Sequence, residues 1–102
     1  MDPLDRLEAT IRARRAAADA GDSYVASLFA KGRPKIAQKV GEEATETVIA
    51  ALAAPDTLAS EAADLVFHLL VLLADAGLGL DDVRAELARR EGVSGHAEKA
   101  SR

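Results

Sequence analysis

The sequence predicts an all-α fold, a helical bundle of four to five helices whose core is completed by homodimerisation, in one domain spanning 1–102. Three observations carry that prediction. Of the 102 residues 49% are apolar, but 23 are alanine, the strongest helix former and a residue that lets helix axes approach closely. Only 3% are aromatic and β-branched residues are scarce, so strands lack the side chains they prefer. With alanine set aside, about 27 large apolar side chains remain, a thin filling for a monomer and a reason to expect a second copy.

The elements follow in order. Asp2 caps a first helix with Pro3 at its first helical position; Leu4, Leu7 and Ile11 share one face, and Gly21 ends it. Arg12, Arg14 and Arg15 lie toward its C-terminus, where cations suit the macrodipole. A short helix over about Ser23 to Ala30 carries Tyr24, Val25, Leu28 and Phe29 before Lys31-Gly32-Arg33-Pro34 breaks it. Pro34 starts a long helix to about Ala53, with Ile36, Val40, Ala44, Val48 and Leu52 as its apolar face, and Pro55 stops it. Asp56 or Thr57 caps the next helix, the most apolar element, whose Leu58, Leu65, Leu69 and Leu72 predict burial on more than one side. Gly77 and Gly79 form a turn, and Asp81 caps a last short helix with Val83 and Leu87. The tail from Glu91 to Arg102 reads, on its glycines and serines, either as a disordered end or as a segment whose Lys99 and Arg102 close over a site.

Several functional classes fall away. No charge-free run approaches the roughly 20 residues of a bilayer span, which predicts no membrane helix. The start, Met1 to Arg6, has neither a basic region nor an apolar signal core, so the expected location is cytoplasmic. Absent cysteine excludes disulfides and thiolate metal sites, and the net charge of −4 argues against nonspecific nucleic-acid binding.

The charge is unevenly placed. Between Lys39 and Arg84 there is no Lys or Arg, yet the stretch holds Glu42, Glu43, Glu46, Asp56, Glu61, Asp64, Asp75, Asp81 and Asp82. Lys31, Arg33, Lys35 and Lys39 stand just ahead of it. Helix residues advance by about 100°, so Glu42 and Glu46 lie about 40° apart, and Glu43 and Glu46 about 60°. On the next helix Glu61 and Asp64 are likewise about 60° apart, with His68 one turn on. A surface helix ordinarily relieves its acids with Lys or Arg at i+4, and neither helix does so. A Pro-Asp turn joins them, so the two acidic groups can face each other across an antiparallel hairpin.

Hard oxygen donors without Cys suit Mg²⁺, which also resolves the mutual repulsion of clustered carboxylates. An acidic solvated helix face is the bland alternative. Arg33, Lys35 and Lys39 sit at or near the N-terminus of the helix bearing Glu42, where phosphates would bridge Lys and Mg²⁺; an exposed basic loop is the competing reading. His68 is either a partner of the acidic site or a satisfied core histidine. Gly41 in mid-helix marks close packing or room for a ligand. Tyr24 and Phe29 are core residues or base-stacking platforms.

Lys39-x-x-Glu42-Glu43-x-x-Glu46 followed by Glu61-x-x-Asp64 resembles the E-E-x-x-E…E-x-x-D signature of the all-α, MazG-type nucleoside triphosphate pyrophosphohydrolases. The stretches from Gly32 to Glu46 and Ala63 to Leu73, and the ending Glu91-Gly92-Val93-Ser94-Gly95-x-x-Glu98-Lys99-Ala100-Ser101-Arg102, are similar to the phosphoribosyl-ATP pyrophosphohydrolase family. Phe67 departs from that pattern, where the family has Tyr. The resemblance implies Mg²⁺-dependent hydrolysis of phosphoribosyl-ATP to phosphoribosyl-AMP and pyrophosphate, the second step of histidine biosynthesis, by a homodimeric bundle. It implies Glu42, Glu43, Glu46, Glu61 and Asp64 as metal ligands, with Glu43 or Glu46 taking the proton of the attacking water. Arg33, Lys35 and Lys39 would bind phosphates, and Lys99 and Arg102 would close over the site. A house-cleaning pyrophosphohydrolase with the same acids and another base pocket is the alternative; a non-enzymatic dimerisation module would release no pyrophosphate.

Overall fold

Helix boundaries fall where the chain supplies a cap, a glycine or a proline. The computed structural model describes residues 1–17 and 23–102, and among these are six α-helices, one 3₁₀ turn and no strand. In α1 (Pro3–Ala17) the Asp2 carboxylate accepts from Asp5 N at 3.0 Å, and the end expected at Gly21 lies outside the described residues. In α2 (Tyr24–Lys31) Ser23 Oγ accepts from Ala26 N at 3.2 Å; Gly32, at φ 92°, ends the helix in a conformation other residues rarely adopt. The long helix α3 (Arg33–Ala53) starts immediately after, with Pro34 in its first turn. A 3₁₀ turn (Pro55–Thr57) leads into α4 (Leu58–Asp75). Thr57 occupies the cap position, but its hydroxyl donates back to Ala54 O at 2.8 Å.

The last third departs from expectation. In α5 (Leu80–Arg89) the capping position is Gly79, not Asp81, and the Asp82 carboxylate accepts from Gly79 N at 2.8 Å. The tail folds into α6 (Gly95–Ser101), capped by Ser94 Oγ at 3.0 Å from Ala97 N, which takes the helix count past four to five. Glu98, 7% exposed, anchors it: its carboxylate lies 2.7 Å from Arg89, 3.6 Å from Arg90 and 3.8 Å from Arg102.

The α3–α4 hairpin is the spine, and α1 and α2 pack across one end of it. There Ile11, Val25, Leu28, Ile36, Leu70, Val71 and Ala74 form a single core cluster. Arg15 donates to Ala74 O at 2.6 Å, while Arg33 donates to Asp75 O at 3.0 Å and pairs with the Asp75 carboxylate at 2.8 Å, so two cations finish the negative end of α4.

At the other end of the hairpin α3 is largely uncovered, while the start of α1 lies beside the first turns of α4. Along the predicted apolar face of α3, Ile36 is buried and Val40 and Ala44 are half-buried, but Val48 is 59% and Leu52 84% exposed. On α4, His68, Leu70, Val71 and Ala74 are buried while Val66 and Leu69 are exposed, so within one chain the helix is covered on one side rather than several. By length and composition alone Pro55–Asp75 could cross a bilayer, although Glu61 and Asp64 break its charge-free runs. Its packing on α3 and its buried, hydrogen-bonded His68 make it the central helix of the bundle.

α5 is held to α1 through polar contacts. Glu8 Oε2 accepts from Leu80 N at 2.6 Å, and Arg84 pairs with Asp5 at 3.0 Å. A Cβ at Gly79 would collide with the ends of the Glu8 and Arg12 side chains. Arg12 can swing away, whereas Glu8 would give up its bond to Leu80. Gly79→Ala therefore costs about 1.5–3 kcal/mol, the scale of one charge-assisted hydrogen bond, measured by urea denaturation.

Candidate functional site

The spacing of the acids and the hairpin geometry meet in one cluster. Glu43 and Glu46 straddle the face of α3 that meets α4, and Glu61, in the first turn of α4, comes from the opposite side. One carboxylate oxygen from each lies within 4.8 Å of the others. Glu43 is 7% exposed, its Oε1 is 3.7 Å from Lys39 Nζ, and its buried Oε2 has no hydrogen-bond partner among the described residues. Leaving a buried carboxylate oxygen unpartnered is costly.

The electrostatics reinforce this. Glu46 is pushed above the usual glutamate range, first by the close approach of the Glu43 carboxyl and then by that group's charge; slight desolvation and Asp64 add to the effect, and Lys39 opposes it. Like charges held around an unsatisfied buried oxygen need a proton or a cation between them. All three donors are hard oxygens, so the residues fit a divalent cation of the Mg²⁺ kind.

The other predicted residues are distributed unequally. Asp64 is exposed, close enough to Glu46 to affect its proton affinity. Glu42 falls about 100° of helix turn before Glu43, off the face that meets α4. It accepts from Gln38 Nε2 at 2.9 Å and lies 3.3 Å from Lys39 Nζ, and these two contacts hold its carboxyl below the usual range. Lys39, bridging Glu42 and Glu43, stands at the rim, its own pKa raised chiefly by the Glu42 hydrogen bond. Lys35 is exposed on the first turn of α3. Arg33 is not brought to the acids: it is engaged on Asp75, ten residues and about 15 Å of helix before Glu43. Lys99 lies on α6 and Arg102 at its C-terminal cap, where it pairs with Glu98.

Three residues, Thr47, His68 and Tyr24, make contacts that escaped the sequence. The Thr47 hydroxyl lies 2.8 Å from Glu43 O and 3.2 Å from Glu61 O, between the two helices of the cluster. The His68 ring is buried, with Nδ1 2.8 Å from Asp64 O and Nε2 2.8 Å from the Tyr24 hydroxyl. A carbonyl only accepts, so Nδ1 carries the proton and in the neutral ring Nε2 accepts from Tyr24. His68 is thus a satisfied core histidine that also ties α2 to the backbone of Asp64. Tyr24 is 51% exposed and stacks on Phe67 at 6.1 Å between centroids, so it is not the core residue of one reading. Among the described residues nothing lies within 4 Å of a Cβ at Gly41, so close packing against them does not explain it.

Glu46 and Glu61 line an open groove of about 210 Å³ with Ile49, Ala50, Ala54 and Thr57. A larger groove of about 500 Å³ lies by Arg12, Arg15 and Ala74, where Arg15 is engaged on α4 carbonyls, so volume does not locate the chemistry.

A family model described as phosphoribosyl-ATP pyrophosphohydrolase matches residues 4–91. A protein of Rhizorhabdus wittichii named phosphoribosyl-ATP pyrophosphatase is 68% identical over 97% of this chain and 93% of its own length. Proteins of the same name from Erythrobacter litoralis and Sphingopyxis alaskensis are 66% and 62% identical, covering 100% and 99% of this chain and 98% and 94% of theirs.

Proposed function

This chain belongs to the phosphoribosyl-ATP pyrophosphohydrolase family, and from that premise we propose that its α3–α4 carboxylate cluster is a Mg²⁺ site for cleaving phosphoribosyl-ATP. The reaction is hydrolysis to phosphoribosyl-AMP and pyrophosphate, the second step of histidine biosynthesis. The observation that carries the site assignment is the buried Glu43 oxygen without a hydrogen-bond partner, inside a group of three carboxylates.

In this reading Glu43, Glu46 and Glu61 hold the cation, and Glu42 and Asp64 at the rim supply further oxygens. Mg²⁺, when bound, neutralises the polyphosphate and makes water a better nucleophile. Glu46, exposed on the groove, accepts the proton of the attacking water; Glu43, buried, serves as a fixed ligand. Lys35 and Lys39 bind phosphate oxygens at the rim, while Arg33 contributes through the C-terminal end of α4. Lys99 and Arg102 close over the polyphosphate of the second copy in a cytoplasmic homodimer.

The test is pyrophosphate release from phosphoribosyl-ATP and from a panel of nucleoside triphosphates, with Mg²⁺ and with EDTA. The expected result is a kcat/KM for phosphoribosyl-ATP on the order of 100-fold above every nucleoside triphosphate, lost in EDTA and restored by Mg²⁺. Preference for a nucleoside triphosphate would move the chain to house-cleaning chemistry, and a rate indifferent to EDTA would overturn the metal assignment.

A further inference from the structure

We propose that Thr47 is a positioning residue that fixes the two halves of the carboxylate cluster relative to each other. This rests on the metal-site reading above and adds a residue to it. Threonine in a helix commonly returns its hydroxyl to the carbonyl four residues back, a local bond that leaves other helices untouched. Thr45 does this, at 3.1 Å from Gly41 O on the exposed face of α3.

Thr47 makes the same local bond, to Glu43 O at 2.8 Å, and its hydroxyl also lies 3.2 Å from Glu61 O, 14 residues away on α4. The two carbonyls belong to the two residues whose carboxylates approach from opposite helices. A hydroxyl has one proton, so the two acceptors share it. Its position between them sets how far apart, and in what axial register, the backbones of Glu43 and Glu61 sit. Carboxylates brought together on two helices repel, and the repulsion acts to part the helices at this level. Thr47 resists that parting through the backbone, without occupying a carboxylate oxygen that a cation would need.

The proposal predicts a change in cation affinity that a merely structural role would not produce. Thr47→Val keeps the shape and removes the hydroxyl; Thr47→Ser keeps the hydroxyl; Thr45→Val removes only a local bond. Mn²⁺ binding to each metal-free protein is measured by electron paramagnetic resonance, alongside helix content and melting temperature. Groups that orient metal ligands cost about 10–100-fold in affinity when removed. Thr47→Val is expected to weaken Mn²⁺ binding by at least about tenfold, with Thr47→Ser and Thr45→Val within about twofold of the unsubstituted chain. Saturating Mg²⁺ is then expected to restore most of the Thr47→Val rate. If Thr47→Val does not fold, Thr47→Ala against Thr47→Ser gives the same comparison. Mn²⁺ affinity unchanged by loss of the hydroxyl would overturn the role of Thr47 alone. An unsubstituted chain that binds no Mn²⁺ would overturn the carboxylate site and this inference with it.

Discussion

Glu43→Gln lowers phosphoribosyl-ATP hydrolysis by about two to three orders of magnitude and, in the same protein, stabilises the metal-free fold by about 1 kcal/mol. The two effects have one origin. The Glu43 oxygen that lacks a donor is buried beside Glu46 and Glu61, so the metal-free chain tolerates an unfavourable arrangement that suits a cation. Gln has the same shape, no charge, and an amide able to donate to the Glu46 carboxylate. Lys39 keeps Glu42 at 3.3 Å after the change.

The pH dependence follows with a definite sign. The folded chain raises the proton affinity of Glu46, so just above the ordinary glutamate range the folded state holds more protons than the unfolded one. The Glu46 contribution to the unfolding free energy of the metal-free protein therefore falls as pH rises through that window, against the rise contributed by Glu42 and Glu86, and below it both states are protonated and the penalty vanishes. Urea denaturation in EDTA from about pH 4 to 7 should show this contribution as the difference in slope between the unsubstituted chain and Glu43→Gln. Glu43→Gln removes its leading cause and flattens it. A Glu43→Gln protein that hydrolyses substrate at the original rate would sink the site assignment.

What the sequence revealed depended on how local the physics was. The hairpin was legible because Pro34 and Pro55 bound its first helix and because acids three and four apart share a face. Glu43, Glu46 and Glu61 were legible because no Lys or Arg follows them at i+3 or i+4, although Lys39 reaches Glu43 from the preceding turn. Arg33 was not, because the competitor for its guanidinium, Asp75, lies 42 residues away. The same distance effect hid the Tyr24–His68 bond, 44 residues apart, and the second acceptor of Thr47. The helix starting at Leu80 was misplaced because its cap position is glycine and the capping group is Asp82, reaching back to the Gly79 N–H. In the tail, Ser94 three residues before Ala97 was a usable cap signal that Gly92 and Gly95 obscured.

Leu52→Lys is expected to dissociate the proposed homodimer and to take much of the activity with it. The residue is chosen because it separates a complete chain from an incomplete one. It is 84% exposed on the last turns of α3, so in a chain working alone a polar residue there changes stability by no more than about 0.5 kcal/mol. Lysine also suits the negative end of a helix, so the dipole cannot explain a loss. The rest of the surface supports the proposed second copy. Its accessible area of 6640 Å² exceeds the roughly 5,500 Å² expected at this mass by more than the roughly 800 Å² that one partner loses in a standard interface. Its radius of gyration of 15.5 Å exceeds the roughly 13 Å of a compact domain of this length. Val48, Ile49 and Leu52 supply an apolar surface that a twofold contact would bury on both subunits. Burying one leucine contributes about 1.5–3 kcal/mol, so losing two per dimer raises the dissociation constant by roughly 10²- to 10⁴-fold, read as a halved mass in sedimentation. Ile49 and Ala50 line the same groove as Glu46 and Glu61, so parted subunits leave the carboxylates open to water, and the lost rate should return as protein concentration rises. An unchanged mass and an unchanged melting temperature would mean that Leu52 faces water in the working enzyme and that the α1–α2 end of the hairpin carries the whole core.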